Sequence, residues 1–365
     1  MKQLFSVVNF FALTFMAALA LEASLASAQP PASVVPIGDE SASFEVETIL
    51  SDLDNPCGLT VRPTRTTSGP YDLFLAESGA GRILQLSTAK PDEFREVIVG
   101  FRTNPFNDHL PYRVGPLGLA FLTRSKLMVG DSGNPSGSDL LSVYILPSDG
   151  KAVQASGPDH SVGPLRNREG TDSGSINFLA MAKTDELVYL SVGGDDDQGV
   201  LLKAGINSNR LDYLQPLLIE DASRRPAARG GIAFIPPPQP PYLVVAEIGS
   251  YETPSDSSLV FYIPATGEMA MSLPTGLHDM MSLAYSPSGQ LYATDFAWSD
   301  APSGGVYRLD DVRIAGAQGC RAVRIASIPH PMSLTFTSDG VLYVTAFGNG
   351  ENEKQGMLLK ITGEL

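Results

Sequence analysis

Six short apolar segments recur along the 365-residue chain, and this repetition constrains its fold more than any other feature. They are "GLTV" from Gly58, "GLAF" from Gly118, "FLAM" from Phe178, "GIAF" from Gly231, "SLAY" from Ser282 and "SLTF" from Ser333, with successive starts 60, 60, 53, 51 and 51 residues apart. Each is followed by a second run, ending at Ser78, Ser132, Gly193, Ile248, Phe296 or Phe347. A third comes after a Gly-rich or acidic loop, as in "RILQL", "SLVFYIP" and "MLLKIT". Alternating or wholly apolar runs of Val, Leu, Tyr and Phe, broken by "SPSG" or "TSDG", signal strands and turns. A unit of this length with three or four strands is a blade of a β-propeller. The chain is predicted to be all-β, a single six-bladed propeller over 43–365; the alternatives are a seventh, unrecognised blade or an open solenoid.

Outer strands are predicted at "REVIVGF" near Val97, "EMAMSL" near Met269 and "CRAVRIA" near Val323. "FEVETIL", Phe44 to Leu50, stands in the position of an outer strand with no blade before it, while the last unit lacks one. The two deficits match, so the segment at about 44–50 is expected to complete the last blade, close the ring and remove an exposed edge. With 43% hydrophobic residues, 35 Gly and 28 Pro, the composition suits a turn-rich β fold and not a helical bundle.

Ahead of the repeats, "MKQLFSVVNFFALTFMAALALEASLASA" places Lys2 before an apolar run from Leu4 to Leu21 and ends with Ala26 and Ala28 around Ser27. That layout predicts a secretory signal over 1–28, a linker over 29–42 and no membrane span after cleavage; the alternative is an uncleaved anchor. The protein is expected to be exported, to the periplasm, the envelope or the outside of the cell. A formal charge of −15 repels nucleic acid and anionic lipid, which excludes both as partners. A small molecule or an extracytoplasmic protein is the expected partner, and the chain is expected to be monomeric. Only Cys57 and Cys320 are present, on opposite faces of the predicted ring, so two free thiols are expected.

In a propeller whose strands run A to D from axis to rim, the loops leading into strand A and the loops joining B to C open on one face. Those leading into strand A carry Asn55 with Asp54, His109 with Tyr112 and Arg113, Asn177 with Asp172 and Ser175, Arg229 with Arg224 and Arg225, His278 with Asp279, and His330. His278, Asp279 and His330 are the catalytic candidates, because a His beside an Asp is an oriented base or a metal ligand. Asn55, His109, Arg113, Asn177 and Arg229 are the candidate ligand-binding groups. Strand B ends in Glu77, Asp131, Glu247 and Asp295; acids recurring in four blades are better explained by a repeated hydrogen bond of the fold than by one asymmetric site. Asp195, Asp196 and Asp197 in "GGDDDQG" offer oxygens to calcium, without the spaced ligands of a dedicated loop. The stretch 153–174 reads as an insertion between blades, a lid, a docking loop or a mobile segment. No Gly-x-Ser-x-Gly elbow, phosphate-binding Gly-Lys-Thr loop or His-Glu-x-x-His helix is present.

At "NPCGLTV…DLFLAESGAGRILQL" and "GQLYATDF…GGVYRL" the units resemble NHL repeats and the wider six-bladed set that includes gluconolactonase and regucalcin-like lactonases, strictosidine synthase-like proteins and soluble quinoprotein sugar dehydrogenases. The resemblance implies the fold from about Phe44 to Thr362. Its lactonase-like members hold a divalent metal on the axis with Glu, Asn and Asp at or just before strand A. Here the residues before the six strands are Cys57, Leu117, Asn177, Gly230, Met281 and Met332, and only Asn177 matches. The quinoprotein members place a His before the third strand A, where this chain reads "SGSINF". The expected function is therefore binding of a small ligand or protein through the loop-rich face, without chemistry. The alternative is a diverged lactonase-like hydrolase or quinoprotein-type sugar dehydrogenase with its site at the channel mouth.

Overall fold

The computed structural model describes residues 35–106, 112–135, 137–165, 176–194, 199–217, 229–236, 242–250, 253–349 and 354–365. Each of the six apolar segments becomes the innermost strand, A, of a four-stranded antiparallel blade. Blade 1 comprises Pro56–Val61, Asp72–Glu77, Arg82–Ser87 and Lys90–Val99. Blade 2 comprises Pro116–Thr123, Lys126–Asp131, Leu140–Ile145 and His160–Val162. Ile176–Lys183, Leu187–Gly194, Gly199–Asn207 and Arg210–Pro216 form blade 3; Arg229–Phe234, Leu243–Glu247, Ser258–Tyr262 and Met269–Pro274 form blade 4. Blade 5 is Met280–Tyr285, Leu291–Asp295, Gly305–Ile314 and Ala317–Ser327. In blade 6, Pro331–Phe336, Leu342–Ala346 and Gly356–Thr362 are joined by Glu45–Leu53, which pairs antiparallel with Gly356–Thr362. The A strands touch in the cyclic order 1 to 6 and back to 1.

Two short strands extend the rims. Gly38–Asp39, within the stretch read as a linker, lies parallel to the outer strand of blade 5, where Arg324 bonds Asp39 and Arg308 bonds Glu40. Val153–Gln154 lies parallel to the outer strand of blade 1. The stretch 153–174 therefore contains this strand and the outer strand of blade 2, which anchor its described part to the sheets of blades 1 and 2.

The small residues that open the A strands follow from crowding at the axis. A Cβ on Gly58 would lie 2.1 Å from the carbonyl oxygen of Leu117 in the next blade, and one on Gly231 would lie 2.2 Å from the backbone nitrogen of Leu283. Between blades the described residues form six apolar clusters, one at each junction. Each also has a hydroxyl fastener within or just past strand B or, in blade 4, just before strand C. Ser78 Oγ accepts the Gly115 N–H, Ser132 Oγ accepts the Phe178 N–H, Ser191 Oγ donates to the Gly230 carbonyl, and Ser257 Oγ donates to the His278 carbonyl. Thr294 donates to the Met332 carbonyl and Thr345 to that of Cys57, so the bonding runs once around the ring.

Candidate binding site at the channel mouth

The loop that leads into each A strand presents two kinds of position. Three residues before the strand's anchor stand Asn55, Gly115, Asp279 and His330 in blades 1, 2, 5 and 6. In all four the backbone carbonyl accepts the N–H of the residue that follows strand B: Ser78, Ser132, Phe296 and Phe347, at 2.9–3.1 Å. Asn55 and His330 reach this position with φ of 46° and 49°, left-handed values that Asn and His tolerate better than most residues. Their side chains then fasten neighbouring loops. Asn55 Oδ1 accepts the Arg113 N–H at 2.8 Å, Asp279 Oδ2 accepts the Trp298 N–H at 2.9 Å, and His330 Nδ1 donates to the Gly348 carbonyl at 2.7 Å. A carbonyl only accepts, so His330 carries its proton on Nδ1, and burial holds its pKa below the usual imidazole range.

In blades 1 and 5 the acid that ends strand B closes the same loop from below, whereas Asp131 in blade 2 bonds toward Gly133 and Asn134 beyond its own strand. Glu77 accepts the Asp54 N–H at 2.8 Å, and Asp295, 1% exposed, accepts those of His278 and Asp279 at 3.0 and 2.6 Å. Burial raises the pKa of Asp295, opposed by these N–H groups, and pushes Asp279 up to about 6.

One residue before the anchors, the side chains face the axis. Cys57, Met281 and Met332, 2–9% exposed, join Leu117 in an apolar cluster roofed by Tyr112, Phe296 and Phe347. Trp298, the chain's only tryptophan, packs against this roof with its centroid 4.3 Å from Phe296 and 5.7 Å from Tyr112. Phe106 stacks on Trp298 at 5.4 Å and 12° while remaining 44% exposed. It sits on a hairpin of Asn104–Pro105 and Arg113–Val114, which connects blades 1 and 2 and reaches across the axis to blade 5. Beneath the rings lies a cavity of about 60 Å³. Farther down the axis a polar channel of about 180 Å³ is lined by Thr60, Ser282, Ser333 and Thr335.

Of the residues singled out from sequence, Arg113 and Asn177 line the mouth cavity. The Arg113 guanidinium is held by Thr103 Oγ1 at 2.8 Å. Arg229 is buried and donates to the Tyr262 hydroxyl at 2.7 Å. His278 is half-buried, and its Nδ1 has no hydrogen-bond partner among the described residues. His109, Asp195, Asp196 and Asp197 lie outside the described residues. His278, Asp279 and His330 do not combine into a metal-binding group, and among the described residues no three His, Cys, Asp or Glu side chains do. A hard cation of the kind held by lactonase-like propellers needs several oxygen ligands, and the axial ring supplies Asn177 alone. Both cysteines are free and buried, and burial pushes each thiol up to about 12.

Sequence reasoning missed the aromatic roof. Its signal lay in the aromatic residues just past strand B of blades 5 and 6, Phe296, Trp298 and Phe347.

No family model and no curated protein matches the sequence. The fold matches solved structures at low identity. A putative oxidoreductase (glucose dehydrogenase) from Thermus thermophilus is 16% identical with a TM-score of 0.57, covering 87% of this chain and 100% of its own. A gluconolactonase from Xanthomonas campestris is 12% identical with a TM-score of 0.55, covering 93% and 99%. The aldose sugar dehydrogenase of Streptomyces coelicolor, in its PQQ-bound form, is 13% identical with a TM-score of 0.55, covering 88% and 99%. The chain therefore shares the six-bladed propeller of gluconolactonases and quinoprotein sugar dehydrogenases; at these identities the likeness establishes architecture.

Proposed function

We propose that this protein is an exported binding propeller that captures a small ligand with a planar, apolar group at the channel mouth and performs no chemistry on it. One observation carries the reading: four of the six axial positions, Cys57, Leu117, Met281 and Met332, pack thiol, thioether and alkyl groups under an aromatic roof, while the nearby His330 and Asp279 side chains are spent on backbone groups. A Phe–Trp stack is worth about 0.5–1.5 kcal/mol, so a ligand ring can replace exposed Phe106 on the face of Trp298 at small cost. Asn177 and Arg113 supply polar contacts at the margin. The signal-like segment 1–28 supports export.

The single tryptophan makes the test direct. Titration with the planar probe 1-anilinonaphthalene-8-sulfonate should give saturable 1:1 energy transfer from Trp298, altered several-fold in affinity by Phe106→Ala. Turnover of lactones or aldoses that is lost in His330→Asn or Asp279→Asn would overturn the reading in favour of a diverged hydrolase or dehydrogenase.

A further inference from the structure

The axial ring departs from chance in one respect. The chain holds ten Met and two Cys among 365 residues, so about one position in thirty carries sulfur, yet three of the six axial positions do. They are not scattered: Met281, Met332 and Cys57 belong to blades 5, 6 and 1, which are consecutive around the ring. If apolar filling were the only demand, Leu would serve, as Leu117 does at the same position in blade 2. All three sulfur residues line the same small cavity of about 60 Å³. Cys57 is 2% exposed, and its sulfur meets only neutral partners, the Asn55 carbonyl at 3.5 Å and the Ser78 hydroxyl, neither of them a charged group that would compete with a metal.

We propose that Cys57, Met281 and Met332 form a binding site for one soft monovalent metal ion, Cu(I) or Ag(I), on the propeller axis. Thiolate and thioether ligands select soft ions and reject Ca²⁺ and Mg²⁺, which require oxygen. A three-sulfur set suits a low-coordinate ion, and the apolar wall around it excludes water. Binding forms a metal–sulfur bond at Cys57 and displaces the thiol proton to solvent, with no change of oxidation state; the thioethers join without losing a proton. The aromatic roof then lies over the ion, and Trp298 packs against that roof. This inference rests on the reading of the channel mouth as a ligand site, and it assigns the deeper part of that mouth to a metal.

The test uses Cys320→Ser protein, which removes the other thiol from the far groove between blades 4 and 5. Titration with Ag(I), followed by native mass spectrometry and Trp298 fluorescence, should give one ion per chain, release of one proton and quenching that saturates at one equivalent. Ca²⁺ should produce none of these. Adding Cys57→Ser should abolish binding. The paired change Met281→Leu and Met332→Leu keeps the side-chain volume and the thiol, and it should weaken binding at least tenfold while the melting temperature without metal stays close to that of the parent. Absence of Ag(I) binding overturns the proposal, as does undiminished binding in the double Leu variant, which would reduce the site to a lone thiol. Failure with Ag(I) while the planar probe still takes energy from Trp298 leaves the ligand-binding reading standing; failure of both brings down the mouth as a site.

Discussion

Two rings of side chains stand two residues apart at the start of the inner strands, and they obey different rules. The outer one, Asn55, Gly115, Asp279 and His330, varies in residue type and keeps one backbone duty throughout, accepting the N–H that follows strand B. The axial one, Cys57, Leu117, Asn177, Gly230, Met281 and Met332, shares a backbone duty in three blades, where the carbonyls of Cys57, Gly230 and Met332 accept the interblade hydroxyl, while its side chains differ from blade to blade in chemistry. In a repeat protein, what recurs is the property of the blade, and what breaks the repeat is free to serve a site. By that criterion a histidine or an aspartate in a polar loop is weaker evidence of function here than a thioether on the axis.

The largest effect that separates the rings is thermodynamic. Asp295→Ala strips the acceptor from the buried N–H groups of His278 and Asp279, each costing about 1–3 kcal/mol, so a total loss of about 3 kcal/mol is expected. Met281→Leu, on the axial ring, conserves volume and should cost less than about 1.5 kcal/mol. Chemical denaturation of both variants checks the contrast, and equal losses would dissolve it. A smaller effect is expected from Thr345→Val, an isosteric change that leaves the Cys57 carbonyl without its donor at the junction of blades 6 and 1. About 1 kcal/mol should be lost there, read from the same denaturation curves. No loss would mean that the interblade fastener is redundant with the apolar cluster beside it.

The blades were legible in the sequence because each A strand must be apolar and open on a small residue, and Gly58 and Gly231 have neighbouring backbone within 2.2 Å of where a Cβ would sit. The outer strand of blade 2 was not, since "HSV" is only three residues long and lies in a Gly- and Pro-rich stretch without alternation. Nor was the edge strand Gly38–Asp39, where Asp39 is held by Arg324, 285 residues away, and the following Glu40 by Arg308, 268 residues away. The candidate site was legible in its positions and not in its contacts. Asn55, Asp279 and His330 were picked for chemistry that any loop residue offers, and only the ring geometry shows that they occupy one equivalent place. Trp298 and Phe106 come together from opposite blades, a pairing no local pattern encodes.

The last prediction concerns the one residue where the two rings meet chemically. Asp279 belongs to the fastening ring, yet it holds the backbone of Trp298, which packs on the roof of the axial cavity. Burial, with Asp295 and Asp256 nearby, lifts its pKa to about 6, while the Trp298 N–H and His278 pull it down. A free aspartate ionises near 4, so between about pH 4 and 6 the folded chain keeps a proton that the unfolded chain has released. Stability from this group is therefore full below about pH 4 and is lost as the pH rises through 6, the reverse of a salt-bridged aspartate. Asp279→Asn keeps an oxygen for the Trp298 N–H and removes the proton. Relative to that variant, the parent should lose about 1 kcal/mol between pH 4.5 and 7, after allowance for solvent screening. Melting curves of both proteins across this range measure the difference, and Trp298 emission reports whether the roof moves with it. A difference that stays flat would show Asp279 ionised throughout, with the fastening ring and the cavity roof uncoupled.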